Sequence, residues 1–241
     1  MRAELAKVRA LPTPAWCLAV VVFCGLLGVA ATWQWGPGSD LLAVELALGF
    51  PLSIASIVFG VWIFGVEYGQ NTLRRALSAD PRRLRLFISK LLVALALIGV
   101  VTVLLHLVLF PFFDLAADRH GESVSVRDYR DIVAAALLSN LVYATVGASL
   151  ALITASMAGG VTAALVFVFI IDTVLSVVPE VGDFSFGIAL ADVVLGIRGT
   201  ESGFGEFDSG QTTSQAAVIL AAWVVALAGL GWLRLWRSDV K

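Results

Sequence analysis

The sequence predicts an all-α, polytopic membrane protein with six transmembrane helices, and three observations predict it. Hydrophobic residues make up 59% of the 241, charged residues only 14%, and mean hydropathy is +0.94, more than a soluble core requires. Six segments, at 14–35, 41–66, 88–113, 132–155, 159–178 and 214–236, meet or approach the about 20 apolar residues that a spanning helix needs. Their apolar runs are continuous and do not alternate with a period of two, which argues against the strands of a transmembrane barrel. So little chain lies between the spans that residues 1–241 read as a single transmembrane domain.

Lysine and arginine orient the bundle. Arg2, Lys7, Arg9, Arg74, Arg75, Arg82, Arg83, Arg85, Lys90, Arg234, Arg237 and Lys241 fall on one side of the spans, which is twelve of the sixteen basic residues. Arg119, Arg127, Arg130 and Arg198 fall on the other. The positive-inside rule then places both termini and the charged island 67–90 in the cytoplasm, with the acidic loops around 114–131 and 179–213 outside. This is the expectation for a multi-pass protein of a cell membrane, such as a bacterial inner membrane. The formal net charge of −2 conceals that asymmetry and gives no reason to expect a nucleic-acid partner.

At the N-terminus, Leu5, Val8 and Leu11 are helically spaced with Arg2, Lys7 and Arg9 between them, the pattern of a short amphipathic helix on the inner membrane surface. The apolar stretch that follows is longer than the about 7–15 residues of a secretory signal core, so it reads as a retained first span. Thr13 and Pro14 have the chemistry of its N-cap and first helical position. Cys17 and Cys24 lie on one face of that span, where helical geometry forbids a mutual disulfide. With no histidine nearby to complete a metal site, they read as lipid-facing or packed thiols.

Between spans two and three, Leu73 and Leu77 are one turn apart with Arg74 and Arg75 on the flank, which predicts a short amphipathic helix on the membrane surface. Ser78-Ala79-Asp80-Pro81 breaks it, and Asp80 as N-cap with Pro81 as first residue starts a helix that carries Arg82, Arg83, Arg85 and Lys90 into the third span. Cations placed this way also anchor span ends to anionic headgroups, at about 1 kcal/mol each.

Glu67, Tyr68, Thr72, Leu73, Arg74, Leu77, Pro81, Arg82, Arg83 and Lys90 together resemble the signature of ABC-2 type transporter permeases: a Glu ending the second span, an aromatic, Thr-Leu-Arg, a Leu, then Pro-Arg-Arg leading to a Lys-initiated third span. Asn71 stands where that family usually has Gly before the Thr, and Asn is the next best residue for a left-handed turn. The remainder of the chain agrees in layout more than in sequence. The resemblance implies N-in/C-in topology and a cytoplasmic coupling helix built from Glu67, Thr72, Leu73, Arg74, Arg75, Leu77, Pro81, Arg82 and Arg83. In that reading Glu67 pairs with a nearby cation such as Arg74 to hold the corner rigid. It also implies export of a hydrophobic or amphipathic cargo such as a drug, peptide antibiotic or lipid, and a second permease copy or paralogue in the membrane. The expected ATPase subunits of ABC type would bind ATP and magnesium.

A nucleotide site in this chain itself is not expected, because no G-x-x-x-x-G-K-[ST] segment occurs. Neither H-E-x-x-H nor G-x-S-x-G occurs, and His106 and His120 fall on a span and an outer loop, so the chain does not read as an enzyme and no cofactor of its own is expected. The apolar stretch 184–197 is too short to span and fits either a re-entrant helix on the outer side or a loop folded on the bundle, with 199–206 as flexible loop after it.

Polar residues inside spans complete the candidates. Asp172 lies deep in the fifth span, Glu45 near the outer end of the second, His106 in the outer half of the third and Asn140 in the fourth. An ionised Asp in hydrocarbon costs at least about 2.5–3.5 kcal/mol, so Asp172 must be paired, hydrated or protonated. It either contacts substrate or hydrogen-bonds a neighbouring Ser or Thr. Ala144, Gly147, Ala148 and Ala151 form a small-residue stripe that reads as a helix-packing seam. Two other classes stay open: a proton-coupled carrier or channel that uses Asp172 and His106 without an ATPase, and a membrane anchor or sensor that transports nothing. Inverted symmetry between the halves would favour the carrier, and none is visible.

Overall fold

The structure is a computed structural model that describes residues 12–35, 48–70, 72, 82–121, 125–178, 181–199 and 211–237. Of these, 91% are helical, and there is no strand among the described residues. Helix α1 is Pro12–Trp35, α2 Phe50–Gly69, α3 Arg83–Asp118 and α4 Val126–Thr154. Then come α5 (Met157–Val166), a π-helical turn Phe167–Ile171, α6 (Asp172–Ser176), a 3-10 turn Gly182–Phe184, α7 (Phe186–Arg198) and α8 (Thr213–Arg237). Six helical stretches are long and apolar enough to cross a membrane, with α5, the π turn and α6 forming the fifth. The expected amphipathic helix at 1–11 and the 73–81 part of the coupling segment lie outside the described residues.

Helix boundaries differ from expectation for a physical reason. Helix α3 runs 36 residues where the apolar stretch is 88–113, because Arg83–Phe87 and Asp114–Asp118 continue the helix past the apolar run at both ends. At 1.5 Å per residue it is about 54 Å long, against about 30 Å of bilayer core. It begins at Arg83 with Arg82 in the N-cap position and no side-chain cap, so the start expected at Asp80 and Pro81 is shifted; those two residues lie outside the described ones. Helix α1 likewise begins at Pro12, which puts Thr13 and Pro14 inside its first turn.

Helix α4 is the hub, packing against α2, α3, α5, α7 and α8. Its start is capped by Ser125, whose hydroxyl accepts from Arg127 N at 3.3 Å, and Asp128 in the first turn suits the positive end of the helix dipole. Its end is a left-handed Ala155 (φ 50°), after which Ser156 accepts from Gly159 N at 3.2 Å and starts α5 at once. The α2–α4 crossing is close enough that a Cβ on Gly60 would strike the Ala144 carbonyl, and one on Gly147 the Ile57 carbonyl. The expected seam is therefore real, and its partner face is Ile57 and Gly60 of α2. Outward-facing Phe23, Leu107, Val218 and Val225 are exposed in the isolated chain, an arrangement suited to lipid as solvent.

The chain alternates direction, so the bundle has two distinct ends. The end of α2, the start of α3 and the end of α8 share one, which carries Arg82, Arg83, Arg85, Arg234 and Arg237. The ends of α1 and α3 share the other, where Arg119 stacks 4.6 Å from the Trp33 ring centre and His120 Nε2 donates to the Trp33 carbonyl at 3.1 Å. Helix α7 belongs to this second end: Gly196 abuts Thr213 at the start of α8, and Trp223 Nε1 donates to the Phe184 carbonyl at 2.8 Å. The apolar stretch 184–197 is thus a helix packed on α4 and α8, with Phe186, Ala189, Leu190 and Val193 buried.

Candidate functional site

The basic end is organised around one buried ion pair. Lys90 is the only Lys or Arg between Arg85 and Arg119, and about two turns into α3 it meets Glu67 of α2. Lys90 Nζ lies 3.0 Å from Glu67 Oε1, both side chains are 2% exposed, and Nζ also donates to the Ile63 carbonyl at 3.3 Å. The Phe64 ring centre is 6.0 Å from the ammonium. Thr72 Oγ1 donates to the other carboxylate oxygen of Glu67 at 3.0 Å, while Thr72 N donates to the Glu67 carbonyl at 3.0 Å. A buried pair supplied with further hydrogen bonds in this way is costly to break from one side.

Helix α8 closes the corner. Arg83 Nη1 donates to the Leu235 carbonyl at 2.9 Å and to the Trp236 carbonyl, placing a cation on the negative end of α8. Phe64, Phe87 and Trp232 continue the link as an aromatic row with centroid spacings of 5.8 and 5.9 Å. Spans two, three and six are joined here by charge, hydrogen bonds and rings.

The nine residues expected in the coupling element are therefore divided. Glu67, Thr72 and Arg83 converge on this corner, and Arg82 is exposed at the start of α3. Leu73, Arg74, Arg75, Leu77 and Pro81 lie outside the described residues. Lys90 is a cation on Glu67, the 23-residue separation in sequence being closed by the antiparallel packing of α2 on α3; Arg74, the example expected there, lies outside the described residues.

Among the residues expected along a pathway, His106 and Asn140 both bond to Thr102 and Asp172 stands apart. Ser53 Oγ donates to Asn140 Oδ1 at 3.3 Å, and Asn140 Nδ2 donates to Thr102 Oγ1 at 3.2 Å. His106 Nδ1 sits 2.7 Å from the Thr102 carbonyl, which can only accept, so the proton is on Nδ1. Tyr129 OH donates to the His106 carbonyl at 3.0 Å. This chain of partners ties α2, α3 and α4 together, each such bond in a membrane being worth on average about 0.6 kcal/mol. Glu45 lies outside the described residues.

Asp172 opens α6, near the far end of the fifth span and not at its middle. Its Oδ2 accepts from Gly187 N at 2.8 Å. That partner is the first turn of α7, in place of the neighbouring Ser or Thr that was one of the two expectations. Sequence reasoning missed Ser53, Thr102, Tyr129 and Gly187; only the polar members of the apolar runs were a signal for the first three, and none marked Gly187.

No protein-family model matches the chain, and no curated protein matches it. Cys17 and Cys24 are unbridged and half-buried.

Proposed function

We propose that the chain is the transmembrane permease subunit of an ATP-driven exporter. The observation that carries this reading is the Glu67–Lys90 pair, which locks α2 to α3 where they flank the basic segment 73–81. Two spans joined this rigidly, with Arg83 tying the same corner to α8, move together as a lever when the segment between them is pushed. In this reading the basic end is cytoplasmic, as the positive-inside rule requires. Two ATPase subunits of ABC type press on residues 73–85, a second permease copy or paralogue completes the pathway, and α7 lies at the outer end of the bundle. The cargo is hydrophobic or amphipathic. ATP and magnesium belong to the ATPase chains.

Affinity purification of the chain from its host in mild detergent tests the reading. An ATPase of ABC type should co-purify, and Arg74→Glu with Arg75→Glu should abolish the association while leaving membrane insertion unchanged. A folded, oligomeric chain without an ATPase would overturn it.

A proton-coupled carrier is the second reading, favoured by the buried Asp172 oxygen Oδ1, which has no hydrogen-bond partner among the described residues. Against it, His106 and Asn140 are engaged within the α2–α3–α4 chain, and no described hydrogen bond joins them to Asp172.

A further inference from the structure

Asp172 and the first turn of α7 form a second polar corner, at the end of the bundle opposite the ion pair. Two backbone N–H groups of that turn are satisfied by two side chains. Ser185, as N-cap, accepts from Ile188 N at 3.1 Å, while Asp172 Oδ2 accepts from Gly187 N at 2.8 Å. Asp172 therefore holds α7 in place from a different helix. Its residue is 6% exposed, yet Oδ1 is buried with no hydrogen-bond partner among the described residues. An ionised oxygen left that way is among the most costly groups a membrane protein can bury, and the N–H donor on Oδ2 relieves only one side of the carboxylate. The preceding π turn Phe167–Ile171, a distortion common at functional positions, sets where Asp172 projects.

We propose that Oδ1 of Asp172 carries a proton while α7 is docked, and that loss of this proton lets α7 lift. A methyl group on Gly187 would collide with Oδ2, so the carboxylate and α7 are in close contact, and Phe186 and Phe167 are buried with ring centres 5.6 Å apart. Tyr143 of α4 packs edge-on against Phe186 with ring centres 5.9 Å apart, α7 contributes the Gly187 N–H, and no ion pair reaches the carboxylate among the described residues. With the proton bound, the buried corner is neutral and α7 is held. With the proton gone, the charge is relieved by admitting water, which requires α7 to lift. Docking is therefore lost as pH rises. The proposal depends on neither account of what drives transport.

Backbone hydrogen exchange of the 186–198 segment tests it, on the full chain in lipid nanodiscs, corrected for intrinsic rates and referenced to α4. One series varies pH in choline chloride; the other replaces choline with sodium at constant pH. Protection of α7 should rise roughly tenfold to a hundredfold on protonation, the scale of hydrogen bonds to an ionisable group. A response to pH alone is the expected result, and a response to sodium at constant pH would overturn the proposal. Asp172→Asn, neutral and nearly isosteric, should stay protected and respond to neither. Gly187→Ala, which displaces the carboxylate, should flatten both series at low protection. A wild-type chain indifferent to both series would overturn the proposal, as would an Asp172→Asn or Gly187→Ala chain that responds as wild type does.

Discussion

Glu67 and Asp172 are both carboxylates buried between helices, 2% and 6% exposed, yet the two corners they occupy are built differently. Glu67 has a cation on one oxygen and a hydroxyl on the other, so its charge is matched inside the protein. Asp172 has a backbone N–H on one oxygen and, among the described residues, no hydrogen-bond partner on the second. Full pairing makes a joint that resists change. Partial pairing leaves a joint whose stability depends on what else arrives. The basic end of the bundle is thus suited to transmit force, and the α7 end to yield.

The largest effect should come from breaking the complete corner on one side. Lys90→Met strands Glu67 and should cost about 3–5 kcal/mol in detergent unfolding, whereas the double variant Glu67→Gln/Lys90→Met should lie closer to wild type than either single change. A double variant as unstable as Lys90→Met would show that the pair is not the source of the loss. At the other corner, Gly187→Ala should cost about 1–3 kcal/mol, because the carboxylate is pushed off its N–H donor and buried polar groups are left unsatisfied. Thr72→Val removes one hydrogen bond to Glu67 while Lys90 remains, and should cost about 1.5 kcal/mol by the same measurement. Asp172→Asn should be the mildest, within about 1 kcal/mol of wild type, since the amide oxygen can still accept from Gly187 and no charge is left unmatched. A large loss in that variant would mean that the two carboxylates are held alike.

Much of the architecture was legible in the residues. Long apolar runs can only be satisfied as helices in lipid, so the six spans were countable without coordinates, and small residues at Ala144, Gly147 and Ala148 marked the seam that α2 occupies. Boundaries were less legible. Hydropathy reports where the apolar run ends, and α3 shows that a helix need not end there. Asp172 was visible as an intramembrane charge, but its partner was not: the donor is a backbone N–H fifteen residues on, which has no side-chain signature. Asn140 and His106 were singled out as separate polar residues, and only packing showed that both rest on Thr102.

By itself the sequence determined that this chain is a helical membrane protein, how many spans it can form and that its basic residues cluster at one end, because those properties depend on composition along a line and on the solvent outside. Tertiary structure alone decided that Glu67 meets Lys90, that Arg83 caps α8 and that Asp172 holds α7 with one oxygen to spare. Inside lipid the hydrophobic effect does not choose which helix faces which, so pairing is settled by close packing and by the geometry of a few polar groups, and these exist only once the helices have met.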